Sequence, residues 1–250
     1  MKYQTKHFIG LCLLWVMAAA PVAMGEPARN AGFVYTITNP SDLNAVAAYR
    51  QERTSGKLSY LGSFPTAGLG AATTDVVGTE QHAIVTVGNR LYAVNPGSND
   101  ISVFAIEANG ELRLLHAPFP SQGITPVSLA IHGHLLYVAN LGDSVTRPNY
   151  AGFRVNDEGL LPLENSAIFL NIGDHPSDLL FDRKGELLVG SRGVGNVLDV
   201  FRVAPDGRLI RTAELDAQPG VLGLAFNPAN DNQLFGGLTF LPGAAAYSVS

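Results

Sequence analysis

The sequence has 250 residues, of which only 15% are charged, and its 16 Lys and Arg against 21 Asp and Glu give a formal net charge of −5. It contains no basic stripe, which argues against a nucleic-acid partner, and an acidic surface has little attraction for anionic membranes. Cys12 is the single cysteine, so a hydrophobic core and not a disulfide must hold the fold together.

The first 25 residues are typical of a secretory signal peptide. Lys2 and Lys6 supply positive charge, residues 8–22 are apolar and uncharged, and Ala23 and Gly25 place small residues before a cleavage site at residue 26. The apolar stretch is short for a membrane span. We therefore expect residues 26–250 to form a secreted or periplasmic domain that does not insert into the membrane.

A motif of short strands recurs through the rest of the chain. Apolar strands that end in a small or polar residue mark four units, and taking Tyr92, Tyr137, Leu188 and Phe235 as equivalent gives spacings of 45, 51 and 47 residues. Each is followed by a polar, Gly-rich loop and a second apolar strand. The Asn109-Gly110, Glu158-Gly159 and Asp206-Gly207 pairs then favour the positive φ angles of hairpin turns. In chain order, the predicted strands are 34–38, 44–49, 57–61, 83–87, 90–95, 101–106, 111–115, 127–131, 135–140, 151–155, 177–181, 186–191, 198–203, 208–211, 221–226, 233–238 and 245–249.

Four antiparallel strands per unit of about 47 residues indicate an all-β fold, a β-propeller of four-stranded blades with about five blades or blade fragments. The first unit shows three strands, and the last stops after its third. A small closed ring with irregular ends and a fragment of a longer propeller both fit this pattern. We favour the fragment.

Three stretches resemble the seven-bladed β-propeller lactonase family, which includes 6-phosphogluconolactonases and carboxymuconate-lactonising enzymes. They are LYAVNPGSNDISVFAI at 91–106, TPVSLAIHGHLLYVAN at 125–140 and HPSDLLFD at 175–182. The resemblance covers nearly all of residues 32–250. It implies a seven-bladed fold, a chain that is incomplete at its C-terminus, and hydrolysis of a small lactone.

The third stretch departs from the family pattern. Active relatives carry His-Pro-His-Ser, whereas this chain has His175-Pro176-Ser177-Asp178, and serine cannot act as a general base near neutral pH as imidazole can. Either His175 has taken over the role or the protein does not perform the family's chemistry.

Three residues are catalytic candidates. His175 is the candidate base, with Asp174 beside it to orient the ring; the alternative is a loop histidine bonded to backbone. Asp178 could orient His175 or bind a cation, or it could cap a blade. Arg192 could stabilise negative charge on the substrate, or it could form a salt bridge to a neighbouring blade.

Asn140, Asp143, Arg147 and Ser177 are the candidate substrate-binding residues, because they fall in loops expected on the same face. Asp143 and Arg147 share one loop and are expected to pair.

We expect no metal and no other cofactor. His132 and His134 flank Gly133 in a turn expected on the opposite face, without a nearby carboxylate, so we predict a solvated turn there and not a metal site. His82 has no neighbour in the sequence that suggests a role.

The leading hypothesis is an exported, monomeric propeller that hydrolyses a sugar lactone or another small lactone, with a lactone or carbohydrate as its partner. Export weighs against 6-phosphogluconolactone, which is largely cytosolic. The alternative is a non-catalytic binding or scaffold module, and a third is a calcium-dependent lactonase resembling the six-bladed gluconolactonases.

Overall fold

The computed structural model describes residues 31–71, 81–239 and 243–249. The predicted signal peptide, residues 1–25, lies outside the described residues. Within them, twenty strands form five antiparallel sheets, which we number as blades 1 to 5 in chain order. No described residue belongs to a helix long and apolar enough to cross a membrane.

The strands follow the chain outward within each blade. Blade 1 contains β1 (Ala31–Ile37), β2 (Ala45–Glu52) and β3 (Leu58–Pro65). Blade 2 contains β4 (Ile84–Val87), β5 (Arg90–Asn95), β6 (Asp100–Ile106), β7 (Leu112–Leu114) and β8 (Phe119–Pro120). Blade 3 contains β9 (Pro126–His132), β10 (Leu135–Asn140), β11 (Asn149–Asn156), β12 (Gly159–Pro162) and β13 (Ile168–Phe169). Blade 4 contains β14 (Pro176–Phe181), β15 (Leu187–Arg192), β16 (Val197–Val203) and β17 (Leu209–Asp216). Blade 5 contains β18 (Val221–Asn227), β19 (Asn230–Leu238) and β20 (Gly243–Ser248).

The predicted strands are confirmed, and β5 and β10 have the predicted bounds. Strand β12 follows the predicted Glu158-Gly159 turn but had no predicted bounds, and the two-residue strands β8 and β13 were missed because each is too short to show an alternating pattern. Strand β17 continues to Asp216, beyond the predicted end at Arg211. Its partly buried residues alternate with exposed polar ones such as Glu214, a weaker signal than the apolar runs of the inner strands.

The three hairpin turns adopt the predicted backbone conformation. Gly110, Gly159 and Gly207 have φ angles of 88°, 117° and 89°. Each turn lies against the preceding blade: the hydroxyl of Tyr35 donates to the carbonyl of Gly110, and that of Tyr137 donates to the carbonyl of Gly207. The turns therefore help to fix how one blade stacks on the next.

Apolar side chains pack between successive blades and form four core clusters. The second strand of each repeat unit supplies both faces, because side chains alternate along a strand. Four leucines face the preceding blade: Leu91, Leu136, Leu188 and Leu234. The next residues, Tyr92, Tyr137 and Val189, face the following blade.

The predicted equivalence of Leu188 with Tyr92 and Tyr137 is therefore wrong by one residue, since a shift of one position reverses the face. Val189 is the correct partner. It follows that Arg192, and not Ser191, ends its strand where Asn95 and Asn140 end theirs, and each of the three pairs with the first residue of the next strand.

The first strands of blades 2 to 5 lie at the centre of the fold. β4 contacts β9, β9 contacts β14, and β14 contacts β18, so the blades fan out from a common axis. Backbone amides link these inner strands. Leu129 donates to the carbonyl of His82 at 3.1 Å, and Leu179 donates to the hydroxyl of Ser128 at 3.0 Å.

Candidate active site

Asp178 accepts hydrogen bonds from three other blades. It lies on β14 and its side chain is fully buried. One carboxylate oxygen, Oδ1, accepts hydrogen bonds from His82 Nδ1 at 2.7 Å and Ser128 Oγ at 3.1 Å, and Oδ2 accepts from the backbone amide of Leu224 at 2.7 Å. A single carboxylate of blade 4 therefore joins groups from blades 2, 3 and 5.

His82 completes an aspartate–histidine pair. It lies just before β4 in a left-handed backbone conformation, with a φ of 52°, which is uncommon for a non-glycine residue. The hydrogen bond that His82 donates to Asp178 raises the pKa of His82, an effect that partial burial opposes. Because a carboxylate can only accept, Nδ1 carries the proton, which leaves Nε2 of the neutral ring as an acceptor.

The imidazole of His82 reaches an axial cavity of about 350 Å³ between β4, β9 and β14. Asp178 lies behind it, out of contact with solvent. The described wall is mostly aliphatic, its polar members are His82, Thr86, His132 and Asp182, and none of its described residues is Lys or Arg. A histidine oriented by a buried carboxylate at the edge of a cavity can act as a general base.

His175, the predicted base, lies at the entrance to β14, three residues before Asp178. Its φ is 49°, and its carbonyl accepts the amide of Gly193 at 3.0 Å. Thr125 and Gly220 occupy the same turn in blades 3 and 5, with φ angles of 56° and 79° and the same type of hydrogen bond. The turn therefore does not require a histidine.

The predicted pairing of His175 with Asp174 or Asp178 does not form. No side-chain hydrogen bond connects the imidazole of His175 to the part of the chain that the structure describes. Asp174 instead accepts from Arg192 at 3.0 Å and from the amide of Asn171 at 2.8 Å, and Asp178 is bound to His82.

Arg192 is 5% exposed and surrounded by carboxylates. Its Nη1 donates to Asp174, and its Nη2 donates to Asp199 at 2.9 Å and to Glu214 at 2.8 Å. Arg211 also pairs with Asp199 and Glu214. These carboxylates belong to blade 4 and the loop that leads into it, so Arg192 forms salt bridges as the second alternative supposed, but within its own blade and not to a neighbouring one. Both Nη atoms are bound to protein and are not presented to a substrate.

Asn140 and Ser177 are fully buried. The amide nitrogen of Asn140 donates to Asn149 Oδ1 at 2.8 Å and to the carbonyl of Ser121 at 3.1 Å. The hydroxyl of Ser177 donates to the carbonyl of His175 at 3.1 Å. Asn140 thus joins separate segments of blade 3 and its entry loop, whereas the hydrogen bond of Ser177 is local to its own turn.

The expected pair between Asp143 and Arg147 is absent. The carboxylate of Asp143 accepts the backbone amides of Val145 and Thr146, and these hydrogen bonds hold its pKa below the usual value. Arg147 Nε donates to the carbonyl of Leu170 at 2.7 Å. Asp143 and Arg147 are the exposed members of the predicted substrate-binding set, but they do not approach the His82–Asp178 pair through any of these contacts.

His132 and His134 lie in the predicted turn, where Gly133 has a φ of 56° and connects β9 to β10. The turn is at the end of β9 away from Pro126, as expected. Among residues 31–71, 81–239 and 243–249, no group of three or more His, Cys, Asp or Glu side chains could hold a metal ion.

His82 was missed because its partner is 96 residues away in the sequence. A signal does exist in the repeat. Ser128 and Asp178 occupy the same position of the inner strand, where each pairs with the penultimate residue of the next strand. Blade 2 has Ala83 at this position, and blade 5 has Gly223. A carboxylate at a position where the other repeats carry a small residue could therefore have identified Asp178 as a candidate functional residue.

Comparison with solved structures identifies the fold. A candidate 6-phosphogluconolactonase of Bacteroides uniformis superimposes with a TM-score of 0.67 at 18% identity, and a second one from Bacteroides fragilis with 0.65 at 20%. The periplasmic gluconolactonase of Pseudomonas aeruginosa gives 0.60 at 18% identity. The chain has a β-propeller fold.

Each superposition covers most of this chain but only about two thirds of the known structure. The matches include 90%, 89% and 84% of this chain and 66%, 65% and 62% of the B. uniformis, B. fragilis and P. aeruginosa proteins, respectively. No protein-family model and no curated protein matches the sequence. The similarity is therefore one of fold, and the activity must be argued from the residues of the propeller itself.

Proposed function

We propose that this propeller is a lactonase-like hydrolase that opens a small lactone with His82 as the general base. The observation that carries the proposal is the 2.7 Å hydrogen bond between His82 Nδ1 and the buried Asp178, with the imidazole on the wall of the axial cavity. The names of the solved structures, which include a gluconolactonase, support a lactone as the substrate.

In the proposed reaction, His82 Nε2 takes a proton from a water molecule as its oxygen attacks the carbonyl carbon of the lactone. The carbonyl π bond opens to an oxyanion. When the carbonyl reforms, the bond between the carbonyl carbon and the ring oxygen breaks, and Nε2 returns its proton to the departing alkoxide. Water and lactone give one hydroxy acid, and the histidine ends as it began.

Asp178 acts as a positioning residue in this scheme. Its carboxylate fixes the ring tautomer and stabilises the imidazolium that forms during the reaction. Ser128 and the amide of Leu224 occupy the other acceptor positions of the carboxylate. The carboxylate is thus held in one orientation, which in turn fixes the direction of His82 Nε2.

We also propose that the protein acts outside the cytoplasm as a monomer, without a nucleic-acid partner. The signal-like residues 1–25 support export, and one solved structure of this fold is a periplasmic gluconolactonase.

Two matched variants test the proposal. His82→Asn and His175→Asn both remove an imidazole at a φ near 50°, a conformation that asparagine tolerates. We expect His82→Asn to lower kcat/KM for lactone hydrolysis by about 10²- to 10⁴-fold, and His175→Asn to change it by less than about threefold. Loss of activity in His175→Asn with full activity in His82→Asn would restore His175 as the base.

The non-catalytic binding module is the second candidate. Arg192 and Asn140 lie on the face first expected to bind substrate, but both side chains bond to other groups of the protein and are not free to act on a lactone. This observation favours a non-catalytic function. This function predicts that the folded wild-type protein hydrolyses no lactone of a broad panel.

A further inference from the structure

The wall of the axial cavity has a chemical character that the proposed activity does not require. Ile84, Val85 and Val87 of β4, Ile131 of β9 and Leu180 of β14 line the cavity and are partly exposed, so that each presents some aliphatic surface to it. Aliphatic side chains of three different blades thus converge on one cavity with His82. At about 350 Å³ it lies at the lower end of the size range of small-molecule sites.

The polar groups of the cavity are few and one carries negative charge. Asp182 accepts the backbone amides of Glu186 and Leu187 at 2.8 and 2.9 Å. His132 lies beside the ring of Phe181, with 6.1 Å between ring centroids. The described wall contains no Lys or Arg, so an anion bound there would lose water without gaining a permanent counter-charge.

We propose that the lactone accepted by this cavity is uncharged and carries an alkyl substituent, and that phosphorylated and polyhydroxylated lactones are poor substrates. This inference rests on the proposed function, because it assigns the substrate class of the same site. A ring carbonyl next to His82 places the ring substituent against the aliphatic wall. Each hydroxyl of a sugar lactone would lose hydrogen bonds to water there and find few partners.

The first experiment compares three δ-lactones on the wild-type protein: δ-octanolactone, glucono-δ-lactone and 6-phosphoglucono-δ-lactone. We expect kcat/KM for the alkyl lactone to exceed that for glucono-δ-lactone by at least about 100-fold, because several ring substituents each contribute to the discrimination. The phosphorylated lactone should be the poorest of the three. If the wild type instead prefers either sugar lactone, and His82→Asn abolishes that hydrolysis, the substrate class is overturned and the proposed function stands.

A charge variant tests the wall directly. Val87 is 42% exposed and lines the cavity, so Val87→Arg should introduce a cation without disrupting the core. We expect it to lower kcat/KM for the alkyl lactone at least about tenfold and to raise the relative rate on the phosphorylated lactone. Val145→Arg is the matched control, since Val145 is 82% exposed in the loop after Gly142. Equal effects of the two variants would contradict the inference.

Calorimetric binding of the corresponding alkyl lactam separates the two proposals, because the amide is not hydrolysed during the measurement. Binding to wild type and His82→Asn, but not to Val87→Arg, supports the apolar site. If the lactam binds in this pattern while no lactone is hydrolysed, the proposed function fails and the apolar site stands. If the lactam does not bind and no lactone is hydrolysed, both fail.

Discussion

Replacing Asp178 by asparagine changes the chemistry of the axial site with little change in shape. The amide oxygen can still accept the backbone amide of Leu224, which now bonds to Oδ2 at 2.7 Å. The new NH₂ group then faces Ser128 Oγ and His82 Nδ1, and both atoms can accept a hydrogen bond. The imidazole satisfies this arrangement by moving its proton to Nε2, the atom that should act as the base.

The expected effects on stability and activity therefore differ. The variant can still bond to the same three partners, but it loses the charge of these bonds and the acceptor of the Ser128 hydroxyl hydrogen, so we expect the free energy of unfolding to fall by about 1–2 kcal/mol. Activity should fall by about 10⁴-fold, because the ring is held in the wrong tautomer. Asp178→Ala leaves three donors without their acceptor, and we expect it to cost about 3–5 kcal/mol.

Urea unfolding gives the stability difference, and kcat/KM on the best lactone gives the activity. ¹⁵N NMR of the histidine side chains reports which nitrogen of His82 carries the proton. Asp174→Asn is the control, since Asp174 is also a poorly exposed aspartate, in the loop that leads into blade 4, but pairs with Arg192 instead of a histidine. Activity within about threefold of wild type for Asp178→Asn would refute a catalytic pair and leave Asp178 as a structural residue only.

Three further outcomes can be measured. Because the pKa of His82 is raised, the stabilisation from its pairing with Asp178 should be complete below about pH 6.5 and be lost as pH rises through the folded-state pKa. Urea unfolding of wild type and His82→Asn across pH tests this stability change. The kcat/KM should rise over the same pH range, because His82 loses its proton and becomes able to act as a base. Arg192→Met should lower the free energy of unfolding by about 3 kcal/mol, because it removes a partner of the fully buried Asp199, and wild-type stability at neutral pH would contradict this. Gly159→Ala should cost about 2–4 kcal/mol in thermal unfolding, because the φ of Gly159 is 117° and the new methyl group would meet the ring of Phe119. Gly88→Ala is the control: Gly88 lies in a turn with open space around it, and the substitution should cost about 1 kcal/mol.

The fold could be predicted because its information is local and repeated. Each inner strand alternates within itself, each Gly turn follows at a fixed offset, and the same order returns four times. Even the error at Leu188 has a local cause: the Leu-Tyr pair of blades 2 and 3 becomes Leu188-Val189 in blade 4. Without the tyrosine as a landmark, the two adjacent leucines Leu187 and Leu188 hide which one faces the preceding blade. Only the contacts with the neighbouring blades decide it.

The site could not be predicted in the same way, because its contacts run around the axis and not along the chain. Arg192 and Asn140 stand at equivalent strand ends, and a polar residue in that place can face a ligand or its own blade with the same sequence around it. The structure shows that both bond to protein. His82 and Asp178 belong to different blades, and nothing near either residue in the sequence identifies the other.

The position of Asp178 in the repeat is itself an argument for function. Blade stacking requires only a small side chain there, as Ala83, Ser128 and Gly223 show in the other repeats. A fully buried carboxylate costs free energy through lost hydration, and here that cost is offset only because donors from three other blades meet it. Since packing alone would be served by serine or alanine, the charge at residue 178 is best explained by what it does to His82.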